Sequence, residues 1–175
     1  MIKLHDKFFE SYLSHEELTK RIREMGEEIE RDYAGEELYL LVVLSGAWRF
    51  AAELSANIKL DTRIGFVKIS SYSGTASSGK CEVQLPVNEE VEGKHVVVIE
   101  DIVDTGNTLE FVMQLSALQK AKSVKIASLL FKPEAYKRNY EVHYKGFSVP
   151  NLFVVGYGLD YNGLGRNLND IYQLK

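Results

Sequence analysis

The stretch Val96-Val97-Val98-Ile99-Glu100-Asp101-Ile102-Val103-Asp104-Thr105-Gly106-Asn107-Thr108-Leu109 decides the fold. Its first four residues are apolar and β-branched. The run is too short for a helix and has the composition of a strand buried on both faces. Two adjacent carboxylates, Glu100 and Asp101, follow where that strand is expected to end. Asp104 and a set of small polar residues come next, and then an apolar-periodic stretch that reads as a helix. A small polar loop feeding a helix start presents unpaired backbone N–H groups at a positive dipole end, which suits a phosphate. Carboxylates at a strand tip suit polyol hydroxyls or a divalent cation. The stretch therefore reads as a ribose-and-phosphate cradle.

On the N-terminal side, Ser14-His15-Glu16-Glu17 has capping-box spacing, with Ser14 as N-cap. Leu18, Ile22, Met25, Ile29 and Tyr33 then recur at steps of three and four, which predicts an amphipathic helix ended by Gly35. Leu38 to Leu44 has the length and composition of a buried strand. Ser45-Gly46-Ala47 and a helix from Trp48 to about Ile58 follow, so the strand–loop–helix order occurs twice. Arg49 reads either as a phosphate ligand or as a solvated first-turn side chain. Thr62 to Ser70 alternates as a third strand, and Cys81 to Leu85 alternates again. Between them, residues 71–80 are rich in Ser, Gly and Thr. That composition fits either a lid that closes over substrate or a hairpin tip without a role.

On the C-terminal side, Ser123 to Phe131 reads as another strand, ending at Lys132-Pro133. Residues 134–146 are aromatic, charged and irregular. Phe153 to Asp160 is a last apolar run, and Arg166 sits in a loop too glycine-rich for a helix. The short C-terminus is expected to need no function. Alternating strands and helices imply a parallel sheet covered on both faces, with ligands at the carboxyl ends of its strands.

The 175 residues predict one domain with a core able to stand alone. A net charge of −4 argues against a general nucleic-acid coat, which needs a basic face. Nothing approaches the length of a membrane span, and the N-terminal residues lack the apolar core of a signal peptide. The single Cys81 has no internal disulfide partner, so the expected compartment is the cytoplasm.

Residues 96–109 resemble the phosphoribosyl-pyrophosphate (PRPP) motif of type I phosphoribosyltransferases: two acids, an apolar pair, then Asp-Thr-Gly before a helix. Ser71-Tyr72 with Ser77-Ser78-Gly79 is similar to the mobile loop of the hypoxanthine-guanine branch of that family. Lys132-Pro133 falls at the branch's purine-contacting lysine. Phe153 to Asn162, with Arg166-Asn167-Leu168, is similar to its C-terminal signature. The resemblance runs from about Leu38 to Ile171. It implies an α/β fold with a mostly parallel central sheet flanked by helices, a small hood and a mobile loop.

The resemblance also implies roles. Glu100 and Asp101 would hold the ribose hydroxyls, directly or through Mg²⁺. Asp104, Thr105, Gly106, Asn107 and Thr108 would cradle the 5′-phosphate, and Asp104 would manage the proton at purine N7. Lys132 would donate to a 6-oxo group, Phe153 would stack on the base, and the Val154 backbone would read its edge. Ser45-Gly46 would form the pyrophosphate loop. Asp160 would bind a second Mg²⁺ and Arg166 the pyrophosphate.

The chain departs from the pattern at Ser45, where many relatives carry Lys, and at Gly65, where relatives often carry Asp. Altered subunit or loop contacts are the expected consequence at Gly65. The implied activity is purine salvage: hypoxanthine or guanine plus PRPP giving IMP or GMP and pyrophosphate, in a homodimer or homotetramer with no membrane or nucleic-acid partner. One alternative is a nucleotide-sensing RNA-binding regulator on the same fold. Another is a binding domain in which Glu100-Asp101 is merely a solvated strand end.

Overall fold

The computed structural model describes residues 1–71, 81–87, 91–115 and 118–175. In chain order the strands are β1 (Ile2–Leu4), β2 (Lys7–Leu13), β3 (Leu38–Leu44), β4 (Thr62–Ser71), β5 (Cys81–Leu85), β6 (His95–Val103), β7 (Ser123–Phe131), β8 (Tyr144–Ser148), β9 (Val154–Val155) and β10 (Ile171–Leu174). The helices are α1 (His15–Asp32), α2 (Trp48–Ala56) and α3 (Asn107–Met113).

Six strands form the main sheet in the order β5-β4-β3-β6-β7-β8. All pairs are parallel except β4 with β5. The order runs one way from β3 to β4 and the other way from β6 to β7. The switch point therefore lies between β3 and β6, where open α/β sheets bind ligands.

Both faces of the sheet are covered, as the unbroken apolar runs require. On one face, Leu18, Ile22, Met25 and Ile29 of α1 and Phe50, Ala51 and Leu54 of α2 pack on Leu40, Val42, Val97 and Ile99. On the other, Leu109 and Val112 of α3 pack on Leu41, Val43, Val96 and Val98. The capping box is formed: Ser14 Oγ accepts from Glu17 N–H at 3.3 Å, and Ser14 N–H donates to Glu17 Oε2 at 2.9 Å.

Three expectations need correction. β6 does not end at Ile99. Its pairing with β3 stops at Val42↔Ile99, but its pairing with β7 continues to Val103↔Phe131. Glu100 and Asp101 thus sit inside a strand that is open on one side only, not at its tip. The C-terminus is not idle, because β10 lies between β2 and β9 in a second, antiparallel sheet of order β1-β2-β10-β9. Finally, Gly65 has an intramolecular reason: a Cβ there would overlap the phenol of the buried Tyr39. The glycine makes room for a core tyrosine.

At the opposite pole of the sheet, Asp32 accepts from Lys125 Nζ and from Tyr144 Oη, each at 2.6 Å. These bonds, Lys125 first, hold its carboxyl below the ordinary 3.8. A depressed carboxylate stabilises the fold above its unfolded pKa, and that contribution is lost as pH falls through the folded value. Asp32→Asn is expected to lower the melting temperature at pH 7, with the gap closing below about pH 4. Thermal melts across that range check this, and an equal gap at pH 3 would refute it.

Candidate active site

Two cavities meet at the carboxyl end of β6. The larger, about 300 Å³, is lined by Val43, Leu44, Gly46, Ile69 and the continuous run Glu100 to Leu109. The smaller, about 180 Å³, is lined by Asp101, Ile102, Asp104, Lys132, Leu152, Phe153, Val154, Leu159 and Asp160. Asp101, Ile102 and Asp104 line both.

Glu100 is 5% exposed. Burial, and then the neighbouring Asp101 charge, push its carboxyl well above the usual range. Asp101 is pushed up to about 6, chiefly by burial. The Ile102 N–H, which donates to its Oδ1 at 2.8 Å, and the nearby Arg166 charge work the other way. Two adjacent acids, Glu100 buried and Asp101 part-buried, without a full cationic counterpart are costly, so a cation or a set of hydroxyl donors placed there is favoured.

Asp101 also explains Gly46. A Cβ on residue 46 would overlap the Asp101 carboxylate, and a Cβ on Gly158 would overlap the Gly46 carbonyl. The Leu44–Ser45 peptide preceding this glycine is cis. The loop after β3 thus lies between the Asp101 side chain of β6 on one side and the loop after β9 on the other.

Past β6, Asp104 and Lys132 face one another: Lys132 Nζ donates to Asp104 Oδ2 at 2.8 Å and to Asn151 Oδ1 at 3.4 Å. Lys132 is 6% exposed, so its charge is spent inside the site rather than in water. Thr105, Gly106, Asn107 and Thr108 line the larger cavity as expected. Gly106 has φ +85° and precedes α3. Phe153 leaves its ring half-exposed, edge-on to Tyr161 at 5.8 Å. Val154 lies beside it in β9.

Asp160 and Arg166 are brought together with each other. Arg166 Nη2 pairs with Asp160 Oδ1 at 2.7 Å, its Nη1 donates to the Gly158 carbonyl at 2.6 Å, and Asp160 Oδ2 accepts from Gly163 N–H at 2.7 Å. Each Asp160 oxygen thus carries one internal contact, Oδ1 from Arg166 and Oδ2 from Gly163.

Arg49 is part-buried and engaged within the chain. It lies over the Tyr157 ring and donates to Leu168 O and Asn169 Oδ1, each at 2.7 Å. Ser71 closes β4, while Tyr72 and the rest of the stretch to Lys80 lie outside the described residues.

Sequence reading missed Ile102, Leu152 and Leu159, which complete the smaller cavity, and Asn151, which accepts from Lys132. The apolar three carry no chemical signature. Asn151 follows Pro150, a turn signal that marks a loop but not its destination.

Residues 9–162 match the family of phosphoribosyl transferase domains. The chain belongs to the phosphoribosyltransferase family. It is 43% identical over 164 residues to a hypoxanthine-guanine phosphoribosyltransferase of Streptococcus pneumoniae, covering 93% of this chain and 91% of that one. A solved hypoxanthine phosphoribosyltransferase of Staphylococcus aureus is 38% identical with a TM-score of 0.89, covering 98% of this chain and 94% of that one. A hypoxanthine-guanine phosphoribosyltransferase of Bacillus anthracis is 37% identical with a TM-score of 0.88, covering 97% and 98%. As a phosphoribosyltransferase, the chain is an enzyme of a PRPP-dependent family whose members generally need a divalent metal. None of these matches is an RNA-binding regulator.

Gly46→Ala is expected to push the Asp101 carboxylate from its place. An ångström-scale misplacement of this kind lowers turnover roughly 100-fold. Steady-state kinetics with a melting curve on the same preparation checks this, and near-normal turnover would refute the close-approach account.

Proposed function

We propose that the chain transfers the phosphoribosyl group of PRPP to hypoxanthine or guanine, giving IMP or GMP and pyrophosphate. The observation that carries this reading is the pair of adjoining cavities sharing Asp101, Ile102 and Asp104. One is polar and loop-lined, as a sugar phosphate needs. The other combines a cation, Lys132, with an exposed aromatic ring, Phe153, as a 6-oxopurine needs. The likeness to named hypoxanthine-guanine enzymes over nearly the whole chain supports it.

In this reading Glu100 and Asp101 take the ribose hydroxyls, directly or across Mg²⁺. Mg²⁺ is held characteristically by one or two carboxylates completed by substrate oxygens and water. The uncompensated pair suits that arrangement. Among the described residues no group of three or more His, Cys, Asp or Glu forms a cage able to hold an ion alone. When bound, the ion supplies charge stabilisation on pyrophosphate as the C1–O bond breaks.

The chain's own residues do the rest. The N–H groups and hydroxyls of Thr105 to Thr108 hold the 5′-phosphate. Arg166, released from Asp160 as pyrophosphate and cation enter, takes the leaving-group charge, with Gly46 and the Ser45 backbone beside it. Phe153 stacks on the base, the Val154 backbone reads its edge, and Lys132 donates to the 6-oxo oxygen. Asp104, freed from Lys132 by that new acceptor, accepts the proton from purine nitrogen. Holding base and C1 in line supplies several kcal/mol of the barrier reduction. Adenine presents an amino donor to Lys132 and no acceptor to draw it from Asp104, so Asp104 stays engaged and adenine is disfavoured.

We also place the chain in the cytoplasm as a single-domain protein forming homodimers or homotetramers. Among the described residues no helix is long and apolar enough to cross a membrane.

A spectrophotometric assay with PRPP, Mg²⁺ and each purine base tests the reading. Hypoxanthine or guanine is expected to be turned over, adenine not, and EDTA is expected to abolish the rate until Mg²⁺ is restored. No turnover of any 6-oxopurine would sink it. Lys132→Ala should erode the hypoxanthine-over-adenine preference by tenfold or more, roughly the worth of one charge-assisted bond. Asp104→Asn should depress kcat by about 10²–10⁴, with far less effect on PRPP binding. An unchanged kcat would remove its proton-handling role.

A further inference from the structure

The irregular segment after β7 packs directly on the phosphate loop. Gly106 has no room for a Cβ because Tyr136 and Arg138 press against it. Lys137 N–H donates to the Thr105 carbonyl at 3.3 Å. Tyr136 is held in turn, edge-on to Phe131 at 5.4 Å and donating to the Tyr140 carbonyl at 2.7 Å. Arg138 ties this segment to α3. Its Nη2 donates to Asn107 Oδ1 at 2.6 Å, and its Nε forms an ion pair with Glu110 Oε2 at 2.8 Å without hydrogen-bond alignment. One guanidinium thus bridges two residues of the first turn of α3.

We propose that Arg138 is a positioning residue for phosphate recognition. Through Asn107 and Glu110 it sets the loop 105–108 in the shape that accepts a phosphate monoester. The proposal rests on the reading that this loop takes the 5′-phosphate.

Two physical effects carry it. First, a short polar loop around a left-handed glycine loses conformational freedom at each residue when a ligand orders it. A loop already tied down has met that cost before the ligand arrives. Second, Glu110 places a carboxylate in the first turn of the helix that follows the phosphate loop. Left unpaired, that charge repels a dianionic phosphate across a site that is only partly open to water. Paired with Arg138, it is neutralised. A guanidinium suits this place because it presents separate nitrogens toward Asn107 and Glu110, whereas an ammonium is a single point charge. Arg138 touches no reacting atom. Its hydrogen-bond partner Asn107 lines the larger cavity and not the smaller one.

The test compares IMP with inosine, which share base and ribose and differ in the phosphate. Calorimetric titration of the unaltered chain, Arg138→Gln, Arg138→Lys and the double variant Arg138→Gln/Glu110→Gln separates the effects. Arg138→Gln is expected to bind IMP about tenfold more weakly, the worth of one charge-assisted bond, with inosine affinity unchanged. The KM for PRPP should rise while the KM for hypoxanthine holds. Arg138→Lys should fall between. Removing the Glu110 charge in the double variant should recover part of the IMP loss.

Unchanged IMP affinity in Arg138→Gln overturns the assignment. So does an equal loss for inosine, which would mean general damage to the site. If the unaltered chain turns over no PRPP, the underlying reading fails and takes the assignment with it. Intact turnover with unaltered IMP binding in Arg138→Gln removes the assignment alone.

Discussion

Asp101 rests against the bare backbone of Gly46, and the rest of the site is built around that contact. It exists because β3 and β6 are neighbours at the switch point of the sheet, so the loop leaving one strand passes over the side chains of the other. A side chain at residue 46 would open the cleft. Gly158, pressed on the carbonyl of Gly46, brings the loop of Asp160 and Arg166 to the same place. Three stretches far apart in the chain thus converge. The carboxyls of Glu100, buried, and Asp101, part-buried, line the larger cavity there and are both pushed above the usual carboxylate range, chiefly by desolvation.

Within the site Lys132 is paired with Asp104 and Arg166 with Asp160. Each pair joins two residues that the proposed reaction uses separately. The internal partners satisfy charges that would otherwise be costly to hold away from water.

The second sheet does its work by holding the last part of the chain. β10, between β2 and β9, ties the C-terminal residues to the first thirteen. Arg49 reaches from α2 to the carbonyl of Leu168 and the side chain of Asn169. Together these ties fix the loop that carries Asp160 and Arg166 from both sides. Phe153, next to β9, is presented at the mouth of the base cavity with Tyr161 and Phe9 behind it.

Much of this was legible in the order of residues. The strands from Leu38, Thr62 and Ser123, the capped first helix and the acidic stretch before a polar loop all follow from local rules: apolar run length, β-branching, side-chain caps and glycine. Those rules act over a few residues, and so the residue types at 100–108, 132 and 153–166 already carried the chemistry. Other features depended on distance. The extension of β6 past Ile99 needed β7 as a partner. The strands at both termini needed each other, some 160 residues apart (Leu174↔Phe9). Gly65 took its meaning from Tyr39, Arg49 from the C-terminal loop, and Gly46 from Asp101. The sequence by itself determined which groups are available and which segments are strands or helices, because those are local energies. Only the tertiary structure decided which carboxylates are buried, which charges are paired and which glycines are crowded. Each of those is a property of two segments that the chain order leaves far apart.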